Sequence, residues 1–368
     1  MERIRIELLV VRNFRNYESL DCRFHTHFNV ITGNNGAGKT SILDAIYYLT
    51  NGKSYFSYRD QFLYRHGEDY LRLGTRLFSG DESFKVDINS SIATKKSIKL
   101  EDKTIPSIVG YVGRFPSFMI APNDILILLD SSVERRKLID RTLSQVDRVY
   151  FSQLLNYNKL LKQRNAALKQ MRESGRQDLL LIESFNAKMA EPATYIHNKR
   201  KEYTNDIVHM INDFYKELSN DAEQIELTYN SQMNDQTFLQ LQKSSSYKDI
   251  AAAKTVSGTH KDDIEITLNT YPIKKYASQG QLKSAIIAVK LAQLEYVRNI
   301  TQKIPILLLD DIFDKLDKNR VQNFIKICHH KLKAQVFITD TDENRVEERL
   351  QQLDIDFKSF NIDNGQLV

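Results

Sequence analysis

Only two cysteines occur in the chain, Cys22 and Cys328, far apart and without neighbours at metal-ligand spacing. That excludes a disulfide-stapled scaffold and a cysteine-based metal module, and two unrelated reduced thiols are expected. No apolar run approaches the ~20 residues that a membrane-spanning helix needs. The charged start Met1-Glu2-Arg3-Ile4-Arg5 passes at once into strand-like alternation, with no signal-peptide core. A cytoplasmic protein with no membrane partner is expected. A strong excess of one charge is missing too: 52 basic against 47 acidic residues leave +5, which permits a nucleic-acid partner without demonstrating one. No internal repeat is visible and no disordered tail is expected. With 368 residues, 41% hydrophobic and 27% charged, the chain has a globular composition. It can form two domains, or one with a large insertion.

What is present centres on Gly33-Asn34-Asn35-Gly36-Ala37-Gly38-Lys39-Thr40, which fits the GxxxxGK[ST] pattern of a nucleotide phosphate loop. Glycines let successive backbone N–H groups turn into one concavity that phosphates fill. Lys39 is placed to reach the β and γ phosphates, and Thr40 to offer its hydroxyl to Mg²⁺. The flanks agree: Phe28-Asn29-Val30-Ile31 reads as a buried strand, and Ile42, Leu43, Ala45, Ile46 and Leu49 recur at helical spacing. The helix start adds its dipole and free N–H groups. A nucleoside triphosphate and Mg²⁺ are the expected ligands.

Before the loop, Ile4, Ile6 and Leu8 alternate, as do Leu20, Cys22 and Phe24, which predicts paired strands. Residues 71–78 with 84–88, and 95–100 with 103–105, predict hairpins beside them. Phe118-Met119-Ile120-Ala121 reads as a buried strand stopped by Pro122. Ser131-Ser132-Val133-Glu134 then matches a capping box that opens a long helix. Apolar residues from Ile139 to Met171 form a heptad-like seam with one gap near Arg164, broken at Glu173–Gln177. A second seam from Ile182 to Leu218 predicts an antiparallel helical hairpin, kinked or broken at Pro192. Strands are expected at 225–229 and 264–268 with a helix between them over 235–254. Buried strands at 306–309, 335–339 and 357–362, separated by helices, predict a parallel sheet with covered faces.

Ile306-Leu307-Leu308-Leu309 delivers Asp310 and Asp311 to a strand end. Asp310 is the candidate Mg²⁺ ligand with Thr40, and Asp311 the candidate for orienting or deprotonating an attacking water, with Lys39 also catalytic. Ser278-Gln279-Gly280-Gln281 opens an apolar helix. A capping box between Ser278 and Gln281 accounts for it fully, and an anion site at the helix start is the sharper account. Phosphate loop, Ser-x-Gly-Gln helix start and acidic strand follow one another in the order of ABC-type ATPases.

The resemblance narrows further. Asn13-Phe14-Arg15-Asn16-Tyr17, Gly33–Thr40 with Leu43-Asp44-Ala45-Ile46, Glu134-Arg135-Arg136, Gly258-Thr259-His260-Lys261-Asp262-Asp263, Ala277–Gln281, and Leu308–Asp311 through Leu316-Asp317 stand in family order. In these stretches the chain resembles the RecF family of ABC/SMC-type ATPases. The resemblance implies an α/β P-loop ATPase head, a mixed sheet with covering helices plus an antiparallel subdomain, with an inserted helical-hairpin lobe. The head would comprise residues 1–125 and 256–368, and the lobe 126–255. It implies that Ser278, Gln279, Gly280 and Gln281 of one copy meet ATP held by another. The implied function is ATP-driven dimerisation on DNA in replication, recombinational gap repair and SOS induction, with RecO and RecR as partners and slow hydrolysis as the release step. Asp311, shorter than the glutamate common among ABC ATPases, and Thr339-Asp340-Thr341, in place of a switch histidine, fit slow turnover. Candidate DNA phosphate contacts are Lys159, Lys162, Arg164, Lys199, Arg200 and Lys201, with Lys95, Lys96 and Lys99. His260 is assigned no catalytic role. The alternative reading is the ATPase subunit of an ABC transporter or another SMC-like ATPase; a transport subunit has no use for the helical hairpin.

Overall fold

The computed structural model describes residues 1–130, 132–176, 178–219, 223–313 and 318–368. The chain divides into two compact units, one built from residues 1–124, 213–221 and 283–368, the other from 125–212 and 222–282. Residues 256–282, expected with the head, group instead with the helical unit. The physical reason is strand pairing: Asp263–Leu268 lies antiparallel to Ile225–Asn230, with Asp263 opposite Asn230 and Leu268 opposite Ile225.

In the first unit a six-stranded sheet runs in the order Gln366–Leu367, Phe357–Asp363, Phe28–Thr32, Val336–Asp340, Ile306–Asp310, Ser117–Ile120. Its neighbours are parallel except for the short terminal pair. Every residue of the three central strands is buried, as continuous apolar runs require when both faces are covered. The second sheet has seven strands. Glu2–Phe14 pairs with Tyr17–Arg23 and with Tyr70–Ser79, and the hairpins Tyr70–Ser79/Glu82–Ser91 and Ser97–Leu100/Lys103–Thr104 extend it. Helix Lys39–Asn51 shares a core with both sheets through Leu43, Ile46, Leu9, Leu77, Leu308 and Phe337.

In the second unit, helices Ser132–Val146, Arg148–Ser174 and Phe238–Ala252 and most of Leu179–Ser219 accompany the small sheet of strands 225–230, 263–268 and 271–272. The first seam is two helices rather than one. Asp147 leaves the helix and caps the next by accepting from Tyr150 N (2.8 Å), and its other oxygen accepts from the Tyr195 hydroxyl (2.8 Å). The antiparallel hairpin follows: Arg164 meets Asn186, and Leu168 and Met171 pack with Ile182 and Phe185. Helix Leu179–Ser219 continues through Pro192 with no break. The expected capping serine Ser131, the loop residue Gln177 and the motif end Leu316-Asp317 lie outside the described residues.

The gap in the seam has a physical explanation. Arg164 is 0% exposed and pairs with Asp249 at 2.7 Å, while donating to Asn186 and Thr255. Arg200 is also buried, donating to Asp140, to the Tyr150 hydroxyl and to the Thr259 carbonyl. Neither guanidinium can reach a DNA phosphate, so both expectations are corrected: these arginines hold the helical unit together. Two sequence motifs also meet here. Arg135 forms a two-pronged pair with Asp263 (2.8 and 3.0 Å), Arg136 donates to the Asp262 carbonyl, and the Asp262 carboxylate accepts from Tyr229 and Arg200. His260 Nδ1 bonds the Tyr157 hydroxyl (2.8 Å) and Nε2 faces the Thr255 carbonyl (3.1 Å).

Arg164→Met leaves Asp249 buried and uncompensated, a loss of about 3–5 kcal/mol; urea denaturation followed by circular dichroism measures it, and Arg164→Met with Asp249→Leu recovers most of the loss. His260 gives a pH signature. Burial depresses its pKa from 6.5 to about 4, so the unfolded chain takes up a proton at a higher pH than the folded one. Stability therefore falls as pH drops from about 6.5 towards about 4, and His260→Gln flattens the urea midpoint across that window.

Candidate phosphate-binding site

Strand Phe28–Thr32 ends at Gly33, and helix Lys39–Asn51 begins straight after Gly38, so the loop is held between two rigid elements. Gly33 (φ 139°) and Gly38 (φ 119°) occupy left-handed backbone space. A Cβ would also collide at both, with the Ile362 carbonyl oxygen at Gly33 and with the side chains of Asn16 and Tyr17 at Gly38. The Asn13–Tyr17 stretch is what cradles the loop from behind. Asn16 Nδ2 donates to the Ala37 carbonyl (3.0 Å) and the Tyr17 hydroxyl to that of Gly38 (3.2 Å). Arg15 pairs with Asp44 on the following helix at 2.5 Å, and Asp44 also accepts from Ser54 Oγ and Tyr55 N. With those carbonyls tied back, the loop's N–H groups and the helix start remain on the concave side.

Parallel register then sets Thr32 opposite Asp340 and Asp310 opposite Thr339, so three strands deliver polar residues to one sheet edge. Asp310 Oδ1 accepts from the hydroxyls of Thr40 (2.8 Å) and Thr339 (2.9 Å), and burial raises its pKa. Asp311 has φ 48° and is pinned by N–H donation to the Thr339 carbonyl and hydroxyl; its Oδ1 is buried with no hydrogen-bond partner. Lys39 Nζ donates to the carbonyls of Gly33 (2.6 Å) and Asn34 (3.0 Å). Burial lowers its pKa, while the charges of Asp311, Asp310 and Asp340 oppose that shift. Lys39 thus faces three carboxylates, with Arg345 also 3.8 Å from Asp340, a balance that an added phosphate chain and divalent cation would both enter.

The donor set suits Mg²⁺. Thr40 and Asp310 supply hard oxygens side by side, and among the described residues no group of three His, Cys, Asp or Glu forms a protein-only metal cage. Mg²⁺ normally takes one or two protein oxygens and completes its shell with water and phosphate.

Ser278 and Gln279 are exposed at the start of a 23-residue helix, with Gly280 and Gln281 half-buried. The capping box is formed: Ser278 N donates to Gln281 Oε1 (2.6 Å) and Gln281 N to Ser278 Oγ (3.2 Å), while Gln281 Nε2 reaches Glu223. Lys159, Lys162 and Lys201 are exposed, and Lys199 pairs with Glu202. Two features escaped sequence reasoning. Asp340, read from the sequence only as standing in place of a switch histidine, is the third carboxylate of the edge. Buried Lys290, which donates to the Tyr55 hydroxyl, the Met119 carbonyl and Asp124, was signalled only as a cation flanked by apolar residues from Ala285 to Ala292.

Comparison with known proteins agrees with this geometry. The model of the RecF/RecN/SMC N terminal domain matches residues 5–361. Among relatives, the DNA replication and repair protein RecF of Cytophaga hutchinsonii is 36% identical over 362 residues, 98% of this chain and 96% of that protein. The Porphyromonas gingivalis protein of the same name is 36% identical over 365 residues, 98% of this chain and 99% of that protein. The solved structure of the recombination mediator protein RecF with ATP in the RecFOR pathway superposes with a TM-score of 0.89 at 30% identity, covering 100% of this chain and 97% of that one. An Smc head domain from Pyrococcus furiosus, 18% identical with a TM-score of 0.55 over 99% of this chain and 96% of that one, shares the fold.

Arg15→Met tests the cradle. Asp44 is fully buried whereas Arg15 is 26% exposed, so the cost lies at or below the lower end of the ~3–5 kcal/mol for breaking a buried pair. Chemical denaturation should show that loss, and a fluorescent nucleotide titration a weaker affinity.

Proposed function

The chain belongs to the RecF family of DNA replication and repair proteins, within the RecF/RecN/SMC ATPases, and from that premise we propose that it is an ATP-dependent DNA-binding switch. The observation that carries this reading is the sheet edge at which Lys39, Thr40, Asp310 and Asp311 converge beside a concave glycine loop. The N–H groups of residues 33–40 and the Lys39 ammonium hold the triphosphate. Thr40 and Asp310 hold Mg²⁺, which when bound neutralises charge on the β and γ phosphates. Asp311, with a free carboxylate oxygen, orients the attacking water. Its reach is one methylene shorter than a glutamate's, and turnover is correspondingly slow.

Half of the pocket comes from a second copy. Ser278 and Gln279, exposed at a helix start, with Gly280 and Gln281, present a hydroxyl and N–H groups to the partner's γ-phosphate. ATP binding thereby joins two heads, and hydrolysis releases them. DNA is held by the lysines that remain available: Lys159, Lys162 and Lys201, with Lys199, Lys95 and Lys99 as weaker candidates; Lys96 is withdrawn because its ammonium donates to the Gly52 carbonyl (2.9 Å) and pairs with Asp60 (3.1 Å). The biological setting is replication, recombinational gap repair and SOS induction with RecO and RecR, the proteins that the name of the RecFOR pathway joins to the solved relative. No described helix is long and apolar enough to cross a membrane.

Size-exclusion chromatography and gel shift with and without ATP and DNA test the switch: ATP should produce a dimer and strengthen salt-sensitive DNA binding. Lys39→Ala and Ser278→Arg should each block assembly alone, Ser278→Arg while still binding ATP as a monomer. Mixed together they restore one intact composite pocket, and ATP-dependent dimer should reappear. A Ser278→Arg protein that dimerises normally would remove the serine from the interface.

A further inference from the structure

A cavity lined mainly by basic residues lies at the opposite end of the same parallel strands. It measures about 520 Å³ and is lined by Arg3, His27, Ile304, His329, His330 and Lys333. Five of its six lining residues are basic and none is acidic. His27 precedes strand Phe28–Thr32, Ile304 precedes Ile306–Asp310, and Lys333 precedes Val336–Asp340. Strands of five residues at ~3.3 Å each set it roughly 15 Å from the Asp310 edge, so it is no extension of the nucleotide site.

The side chains crowd together. Arg3 Nη2 lies 3.2 Å from His27 Nδ1 and donates to the Ala334 carbonyl at 3.0 Å. The ring centres of His27 and His329 are 6.4 Å apart, and those of His329 and His330 4.7 Å. Arg3 Nε and His329 Nδ1 are buried without a hydrogen-bond partner, a condition that normally calls for one. A histidine cluster can also suggest a metal, but among the described residues no three His, Cys, Asp or Glu are placed to hold one, and Arg3 and Lys333 would oppose a cation. We propose that this cavity binds a phosphate oxyanion, with Arg3 and Lys333 supplying fixed charge and His329 and His330 supplying N–H donors, while both ring nitrogens of His27 face the Arg3 guanidinium (3.2 and 3.5 Å) and His27 contributes charge when it takes up a proton.

Proton uptake accompanies binding. Burial, then Arg3, His25 and His329, hold the His27 pKa below its ordinary value, against the opposing charge of Asp356; burial, His330 and Arg3 do the same at His329. Arg5 adds positive charge at Arg3. An anion among these groups favours the charged imidazoles and raises both pKa values.

Proton NMR titration of the eight histidines reads the site locally, even though phosphate also enters the glycine loop. The full chain is titrated at matched ionic strength in chloride, inorganic phosphate, pyrophosphate and a short oligothymidylate, with exposed His66 and His209 as references. The midpoints of His27 and His329 should rise by about half a pH unit or more in an anion that binds. Arg3→Gln with Lys333→Gln should abolish the rise. Lys333→Gln, at an exposed position, should reduce it on its own in a protein whose fold is undisturbed. A rise with phosphate and pyrophosphate alone assigns the cavity to a free anion, and a rise with the oligonucleotide as well assigns it to a nucleic-acid backbone. Shifts no larger than those of His66 and His209 in every anion, or a rise that survives both variants, would overturn the proposal.

Discussion

One buried carboxylate sets the terms for the rest of the nucleotide edge. Asp310 accepts hydroxyl hydrogens from Thr40, on the helix after the glycine loop, and from Thr339, on the neighbouring strand. It can do so only if three strands stop at the same level. Their apolar bodies, Phe28–Thr32, Ile306–Asp310 and Val336–Asp340, are buried throughout, and the pairing of Asp310 with Thr339 and of Asp340 with Thr32 fixes their ends. A one-residue slip would reverse the faces of an entire strand, so core packing enforces the alignment that the chemistry uses. Hydrophobic register and polar geometry are here one constraint.

The helical unit solves a different problem with similar means. Its long helices carry buried arginines, and each is matched: Arg164 by Asp249, Arg200 by Asp140 and Asp262, Arg135 by Asp263. A buried ion pair adds little net stability over an apolar replacement, yet breaking one is costly. The Arg135-Arg136 and Asp262-Asp263 motifs, far apart in sequence, therefore read best as two halves of one clasp. His260, packed in the same cluster and held neutral by burial, belongs to that clasp rather than to any proton-transfer chemistry.

Legibility in the sequence followed the range of the interactions. The glycine loop, its strand and helix, the acidic strand end and the Ser278 capping box are local patterns, and each was readable from fewer than about fifteen consecutive residues. The parallel sheet followed from apolar runs alternating with helices. Long-range pairing was not readable. A cation in an apolar seam looks the same on paper whether it faces solvent or an acid 85 residues away, as Arg164 does, so both buried arginines passed for surface charges. The turn at Asp147 was hidden because apolar spacing continues across it, although an aspartate that can cap Tyr150 was a local clue. The unit boundary was missed for the same reason as the ion pairs: pairing of 225–230 with 263–268 spans a helix.

Of the loop's three left-handed glycines, Gly36 has open space around it, and the other two differ in what hems them in, which bears on how the family can drift. At Gly38 the obstructing atoms belong to the side chains of Asn16 and Tyr17, whereas at Gly33 the obstruction is the main-chain oxygen of Ile362. Side chains can be exchanged by a second mutation; a peptide carbonyl cannot. Smaller residues at 16 and 17 would therefore remove the collision at 38 but not the cost of a side chain at φ 119°, while position 33 is barred by both its φ of 139° and the backbone itself.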